Sequence, residues 1–129
     1  MHSYVVATHD EELAEQVAFR LRRGGEHVSL ACDGDEALFL VDRDKPDLLV
    51  LDLDLPMISG LAVLKLLRSD PTTRRLPVIA ISQKRYEESL DALRLGLAAY
   101  LAKPVRADQV AAFATRVLNS PAPRPRVAA

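Results

Sequence analysis

The stretch "DLLVLDLDLP", residues 47 to 56, decides the fold prediction because an apolar run in it passes directly into acidic residues. The run "LLVL" lacks the polar alternation of a strand with one wet face, which indicates a strand covered on both faces. Asp52 and Asp54 follow that run at once. A buried strand that ends in two carboxylates predicts a functional site beyond its carboxyl end.

Similar apolar runs alternate with amphipathic segments along the rest of the chain. We predict strands near Tyr4–Ala7, His27–Ala31, Asp47–Leu51, Pro77–Ile81 and Ala99–Ala102. Between the strands, apolar residues recur at helical spacing, as in Val110, Phe113, Ala114, Val117 and Leu118. The alternation predicts an α/β fold with a five-stranded parallel, doubly wound sheet.

Composition limits the function classes. The 129 residues include 17 Lys and Arg against 18 Asp and Glu, so no excess charge favours nucleic acid or a membrane surface. The single cysteine, Cys32, cannot form an internal disulfide, and no segment resembles a signal peptide. We expect a cytoplasmic protein without direct contact to nucleic acid or membrane. Residues 1–119 are predicted to form one domain, and the proline-rich residues 120–129 a tail or linker stub.

Polar residues leave four of the predicted strands at one edge of the sheet. They are Thr8-His9-Asp10, Asp52-Leu53-Asp54, Ser82-Gln83 and Lys103-Pro104. A carboxylate at this edge is able to attack phosphorus and form an aspartyl phosphate. A lysine and a hydroxyl beside it would hold the phosphoryl oxygens, which identifies Lys103 and Ser82 as phosphate-binding candidates. The competing interpretation gives each residue a local role only, with Asp52 capping a turn and Lys103 solvated.

These motifs resemble the receiver domains of bacterial response regulators from about Tyr4 to Leu118. The segment "PDLLVLDLDLPMISGLAVLKLLR" is similar to their phosphoacceptor region, with a proline four residues after Asp52 and a glycine at Gly60. "LPVIAIS" resembles their fourth strand, and "GLAAYLAKP" their fifth strand with its aromatic residue and Lys-Pro. The resemblance implies a flavodoxin-like, receiver-like single domain.

The resemblance also implies roles for single residues. Asp52 would accept a phosphoryl group, Lys103 and Ser82 would bind it, and Ser82 with Tyr100 would form a conformational pair that reports it. The peptide bond between Lys103 and Pro104 would be cis, as it usually is in the family. A histidine kinase or phosphotransfer protein would be the phosphoryl donor. An output domain or a partner protein would receive the signal, and homodimer formation is a further option.

The first polar loop departs from the family pattern. Receivers carry two adjacent acids there that hold Mg²⁺, whereas this chain has Thr8 and His9 at those positions. A hydroxyl brings no charge, and an imidazole is a poor ligand for magnesium. We therefore expect magnesium to bind weakly or not at all, with Asp10, Asp52 and Asp54 as the remaining acidic ligands. Asp10 or Thr8 is also expected to cap the first helix.

Three functional hypotheses follow. The first is a receiver domain in a two-component phosphorelay. The alternative is a pseudo-receiver that binds partners without phosphorylation, through the surface of "SQKRYEESLDALRLG" with Tyr86. The third is a haloacid dehalogenase-type phosphatase, suggested by Asp-x-Asp at Asp52 and Asp54. The phosphatases need further acids after the lysine, and only Asp108 is available, so we expect no enzyme activity.

Overall fold

A computed structural model describes residues 1–85, 89–119 and 127–128, the last two by backbone alone. The strands are β1 (Ser3–Ala7), β2 (His27–Ala31), β3 (Leu48–Asp52), β4 (Val78–Ser82), β5 (Ala99–Ala102) and β6 (Val127–Ala128). The helices are α1 (Glu11–Arg22), α2 (Gly34–Asp44), α3 (Gly60–Ser69), α4 (Leu90–Arg94) and α5 (Ala107–Leu118). The strands are parallel and lie in the order β2-β1-β3-β4-β5-β6.

The five predicted strands are confirmed, but two of them end one residue later than predicted. Asp52 is the last residue of β3, where it lies opposite Ile81, and Ser82 is the last residue of β4, opposite Ala102. Both residues therefore belong to the sheet ladder, although their side chains lie at its carboxyl edge. The hydrogen-bonded backbone of the ladder holds each side chain in place more firmly than a loop would.

The tail contains a short strand that the sequence analysis did not predict. Val127 and Ala128 pair in parallel with Tyr100 and Leu101 of β5. A segment of two residues is too short to show periodicity, which is why the pattern did not reveal it. Residues 120–126 and 129 lie outside the described residues, so the tail or linker assignment of 120–129 stays a prediction.

The run "LLVL" is apolar throughout because the two faces of β3 pack against different helices. Leu48 and Val50 lie in a core cluster with residues of α1 and α5. Leu49 and Leu51 lie in the opposite cluster, with residues of α2, α3 and α4. Each of these side chains is fully buried, and burying one leucine contributes about 1.5 to 3 kcal/mol. Packing on both faces therefore holds the end of β3, which carries Asp52, in place.

Gly60 sets the contact between α3 and the end of β3. A Cβ atom at Gly60 would lie 2.3 Å from the carbonyl oxygen of Asp52 and 2.5 Å from the Cα atom of Leu53. Ser59 begins the helix by accepting a hydrogen bond from the N–H of Ala62 at 3.2 Å. Glycine therefore allows α3 to approach the backbone directly behind the acidic strand end.

None of the helices within the described ranges is long and apolar enough to cross a membrane.

Candidate functional site

Three donors hold the carboxylate of Asp52, whose side chain is almost completely buried. The hydroxyl of Thr8 donates to Asp52 Oδ2 at 2.8 Å, and the backbone N–H of Asp54 donates to Oδ1 at 2.9 Å. The ammonium of Lys103 lies 2.9 Å from Oδ2. Asp52 is 2% exposed, so its charge depends on these contacts rather than on bulk water.

Lys103 bridges the two carboxylates that follow β3. Its Nζ lies 2.9 Å from Asp52 Oδ2 and 3.2 Å from Asp54 Oδ2. Burial lowers the pKa of Lys103, but the hydrogen bonds and charges of Asp52 and Asp54 outweigh it, so that the pKa is raised overall. The ammonium therefore stays protonated throughout the neutral range. The peptide bond from Lys103 to Pro104 is cis, as the resemblance implied.

Asp54 connects the site to the end of β4. Its Oδ2 accepts a hydrogen bond from the N–H of Gln83 at 2.9 Å, in addition to its contact with Lys103. The backbone of Lys103 donates to the carbonyl of Ser82 at 2.8 Å. These contacts join the ends of β3, β4 and β5 through one polar network. The network brings together Asp52, Asp54 and Lys103, as the strand-end prediction required.

Ser82 and Tyr100 are linked through the backbone of Lys84. The hydroxyl of Ser82, which is buried, accepts a hydrogen bond from the N–H of Lys84 at 3.0 Å. The hydroxyl of Tyr100 donates to the carbonyl of the same residue and lies 2.6 Å from the hydroxyl of Ser89. Tyr100 is buried, so its ring points into the protein. The sequence did not reveal Lys84, because a backbone contact leaves no residue-type signal, nor Ser89, because nothing in the sequence places its hydroxyl beside Tyr100.

Thr8, His9 and Asp10 have three different environments. Thr8 is buried and donates to Asp52, while its own oxygen accepts from the N–H of Asp10 at 3.1 Å. Asp10 caps α1 by accepting from the N–H of Leu13 at 3.0 Å, which confirms the predicted cap. His9 is exposed. Of the three, Thr8 alone directly contacts Asp52 through a hydrogen bond.

The donor set fits magnesium poorly. Magnesium prefers several hard oxygen ligands in an octahedron, supplied largely by carboxylates and water. Here the carboxylates of Asp52 and Asp54 already share one ammonium, Thr8 directs its hydrogen at Asp52, and Asp10 is engaged as a helix cap. Within residues 1–85 and 89–119, no group of three or more His, Cys, Asp or Glu side chains is placed to hold a metal ion. A weak magnesium site stays a prediction.

Comparison with known proteins distinguishes between the proposed families. A profile described as "Response regulator receiver domain" matches residues 5–115 of this chain. The chain belongs to the response regulator receiver family. It is therefore a receiver domain of the two-component response regulators, and the predicted flavodoxin-like fold is confirmed.

Relatives of the receiver domain are larger proteins. It is 32% identical to the alkaline phosphatase synthesis transcriptional regulatory protein PhoP of Bacillus subtilis, over 92% of this chain and 50% of that protein. It is 35% identical to the sensory transduction protein RegX3 of Mycobacterium tuberculosis, over 92% of this chain and 52% of that protein. The chain thus spans about half the length of these relatives.

Solved receiver domains have the same fold. The receiver domain of the Francisella response regulator 1452 superposes with a TM-score of 0.80 at 29% identity, covering 90% of this chain and 95% of that one. The non-phosphorylated HemR receiver domain from Leptospira biflexa gives a TM-score of 0.83 at 26% identity, covering 96% and 99%. The pseudo-receiver alternative is not favoured by these similarities. Tyr86, which that alternative invoked, lies outside the described residues.

Proposed function

We propose that Asp52 accepts a phosphoryl group from a phosphohistidine of a histidine kinase or phosphotransfer protein. A carboxylate oxygen attacks phosphorus, an O–P bond forms, and the N–P bond breaks, so that the histidine leaves with the bonding electron pair and takes a proton. The observation that carries the proposal is the buried Asp52 carboxylate with the Lys103 ammonium 2.9 Å away. This pair combines the nucleophile with the cation that its product requires.

Lys103 is placed to bind the phosphoryl oxygens once the group has been transferred to Asp52. A phosphoryl group brings about −1.5 to −2 charges at neutral pH, and an ammonium has three donors for its oxygens. Lys103 contacts both Asp52 and Asp54 before the reaction, so it is able to exchange one carboxylate for a phosphoryl oxygen without leaving the site. Asp54 then keeps Lys103 in position. We therefore assign phosphate binding to Lys103 and Ser82.

The signal would pass from Ser82 to Tyr100 through Lys84. If the hydroxyl of Ser82 turns to a phosphoryl oxygen, the N–H of Lys84 loses its acceptor. The same residue holds the hydroxyl of Tyr100 with its carbonyl, so a shift of Lys84 also loosens Tyr100. This chain of contacts supports Ser82 and Tyr100 as the conformational pair. Substituting Tyr100→Phe should leave phosphorylation and the shift of the Lys84 amide in NMR spectra intact, but should abolish the phosphorylation-dependent shift at Ser89, whose hydroxyl contacts that of Tyr100.

Magnesium support is expected to be weak. Two carboxylates of the family pattern are replaced by Thr8 and His9, and the nearby acids Asp52 and Asp54 are neutralised in part by Lys103. At an effective dielectric constant near 20, one charge pair about 4 Å apart is worth roughly 4 kcal/mol before desolvation. The loss of two such charges should lower magnesium affinity by two or more orders of magnitude. Lys103 would then carry most of the charge compensation.

The wider assignment rests on the relatives. These relatives are named as transcriptional regulatory and sensory transduction proteins, and they are about twice as long as this chain. This supports signalling to an output domain or a partner protein in the bacterial cytoplasm, with a homodimer as one arrangement. We expect no direct nucleic-acid or membrane contact by the receiver domain itself, and no turnover of a separate substrate.

Intact-mass spectrometry tests the phosphoacceptor. Wild type, Asp52→Asn and the control Asp42→Asn are incubated with acetyl phosphate or phosphoramidate, because the latter contains an N–P bond like that of phosphohistidine. Asp42 is exposed and distant in sequence from the site, so its variant tests the loss of a carboxylate in general. We expect one adduct, removed by hydroxylamine, on wild type and Asp42→Asn but not on Asp52→Asn. An adduct that persists on Asp52→Asn, or folded wild type that neither donor modifies, would contradict the proposal.

A further inference from the structure

A cleft of about 260 Å³ lies at the amino end of the sheet, opposite the site of Asp52. It is bordered by Pro77, which precedes β4, and by Gly96 and its neighbours, which precede β5. Three arginines line it, Arg68, Arg74 and Arg75, and the remaining lining residues are uncharged. We call this feature the arginine cleft. Because β4 runs from the cleft to Ser82, the two sites are separated by the length of a strand.

Arg68 holds its position through neutral acceptors. Its Nε donates to the carbonyl of Leu95 at 2.8 Å, its Nη2 to the carbonyl of Gly96 at 2.8 Å, and its Nη1 to the carbonyl of Thr73 at 3.4 Å. A guanidinium has five N–H donors, so these bonds leave two. Burial lowers the pKa of Arg68, and no acidic side chain among the described residues offsets this effect. The carbonyls orient the cation but do not neutralise it.

Arg74 and Arg75 add two exposed cations to the same cleft. Within the part of the chain that the structure describes, neither residue forms an ion pair, and neither does Arg68. By contrast, Lys103 and Arg43 contact carboxylates directly. The arginine cleft therefore concentrates positive charge around a half-buried guanidinium. A negative ligand would supply the missing counter-charge, and its charge would be attracted most strongly where water is partly excluded.

We propose that the arginine cleft binds a small phosphoanion, with Arg68 at its base and Arg74 and Arg75 at its rim. Guanidinium groups recognise phosphate oxygens through paired hydrogen bonds, which suits three arginines around one volume better than three lysines would. The volume lies just below the range of drug-sized pockets, so it fits a phosphate or pyrophosphate group rather than a large ligand. This site is separate from Asp52 and does not depend on its phosphorylation.

Gly96 borders the cleft in a turn that favours glycine. Its φ angle is +87°, and a Cβ atom placed there would meet no other atom within 4 Å. The carbonyl of Gly96 is one of the acceptors of Arg68, so the turn that leaves this space also orients the guanidinium. The turn before β5 thus borders the open volume and also orients the half-buried guanidinium of Arg68.

The test is an amide NMR titration with inorganic pyrophosphate at constant ionic strength. Wild type is compared with Arg74→Gln/Arg75→Gln and with the control Lys65→Gln/Arg94→Gln, which removes the same charge from exposed positions outside the cleft. We expect saturable shifts at Leu76, Gly96 and Leu97 with a submillimolar Kd, weakened at least tenfold in the cleft variant and less than twofold in the control. Shifts that do not saturate, or equal weakening in both variants, would overturn the proposal.

A second set of titrations separates the sources of the anion. Inorganic phosphate and a phosphoserine peptide are added to wild type in parallel with pyrophosphate. Competition by free phosphate at the same amides supports a small phosphoanion, whereas saturable binding of the peptide alone would overturn that ligand class. Shifts confined to Ser82 and Lys103 would place the anion at the phosphoacceptor site and also contradict the inference. The mass adduct at Asp52 is read independently, so a failure of either proposal is recognised separately.

Discussion

The two ends of the parallel sheet differ in how their positively charged side chains are paired. At the carboxyl end, Lys103 lies between Asp52 and Asp54, and Thr8 adds a hydrogen bond to Asp52. At the amino end, the arginine cleft collects three cations and no acid in its lining. The carboxyl end is therefore compensated from within, whereas the amino end depends on solvent or a ligand. The sheet thus carries a paired cation at one end and, among the described residues, three arginines without an ion pair at the other.

The difference has an energetic consequence. Removing one partner of a buried ion pair leaves the other charge without compensation, and such changes cost several kcal/mol. Removing an exposed cation that has no partner changes stability by less than about 0.5 kcal/mol. Matched substitutions at the two ends should therefore differ in stability, although each removes one positive charge.

The largest effect is expected for Lys103→Met. Asp52 is buried and would lose its cation, but Lys103 is one-quarter exposed, so we discount the cost to about 2 to 3 kcal/mol at pH 7. Urea unfolding measures the difference, with Lys65→Met on the exposed face of α3 as the control. Because the folded-state pKa of Lys103 is raised above 10.5, its stabilisation is complete below that pH and disappears as pH rises through the folded value. A variant as stable as the control would show that Asp52 does not need Lys103.

Gly60 and Gly96 lie at opposite ends of the sheet and have different surroundings. Gly60→Ala would place a Cβ atom 2.3 Å from the carbonyl oxygen of Asp52, so we expect a loss of about 2 kcal/mol and displaced NMR signals at the end of β3. Gly96→Ala meets open space but has a φ angle of +87°, so strain alone should cost about 1 kcal/mol. Chemical denaturation of both variants measures the order. If Gly96→Ala were more destabilising than Gly60→Ala, the close contact between Gly60 and the carbonyl of Asp52 would be contradicted.

The hydroxyl of Thr8 offers a smaller change at the carboxyl end. Thr8→Val keeps the shape of the buried side chain but removes the hydrogen bond to Asp52, so we expect a loss of about 1 to 1.5 kcal/mol. Thr8→Ser retains the hydroxyl and should retain most of the stability that the bond supplies. The two variants are compared by thermal unfolding at pH 7. Equal losses in both would assign the effect to packing rather than to the hydrogen bond.

The smallest effect is expected at the amino end. Arg74→Gln should change the free energy of unfolding by less than about 0.5 kcal/mol, because this exposed side chain forms no ion pair among the described residues. Pyrophosphate should raise the Tm of wild type more than that of Arg74→Gln/Arg75→Gln, since a ligand stabilises the state that binds it. Calorimetry at fixed ionic strength measures both shifts. Equal Tm shifts by pyrophosphate in wild type and in Arg74→Gln/Arg75→Gln would contradict a binding role for these arginines.

Sequence patterns predicted the five main strands because β3 and its neighbours are buried on both faces, which removes polar alternation. The convergence of Asp52, Ser82 and Lys103 at one edge followed from parallel strand direction alone. The direction of the Thr8 hydrogen bond was not predictable, because a hydroxyl is both donor and acceptor. The bridge through Lys84 uses backbone atoms, which carry no residue-type signal.

The arginine cleft also escaped the sequence analysis, for a tertiary reason. Arg68 lies in α3, whereas Arg74 and Arg75 precede β4, and the acceptors of Arg68 belong partly to the turn before β5. Each segment alone shows only a common surface residue. Their shared volume arises from the way that α3 and the amino ends of two strands pack, which charge patterning along the chain does not report.

We propose Asp52 as a phosphoacceptor whose metal support is impaired at Thr8 and His9. The most direct test is the rate of adduct formation with acetyl phosphate as magnesium is varied, in wild type and in Thr8→Asp/His9→Asp. We predict an adduct at Asp52 in both proteins, with half-maximal rate at a magnesium concentration at least tenfold lower in the variant, because two carboxylate ligands are restored. The same magnesium dependence in both proteins, or no adduct at Asp52 in either, would contradict this proposal.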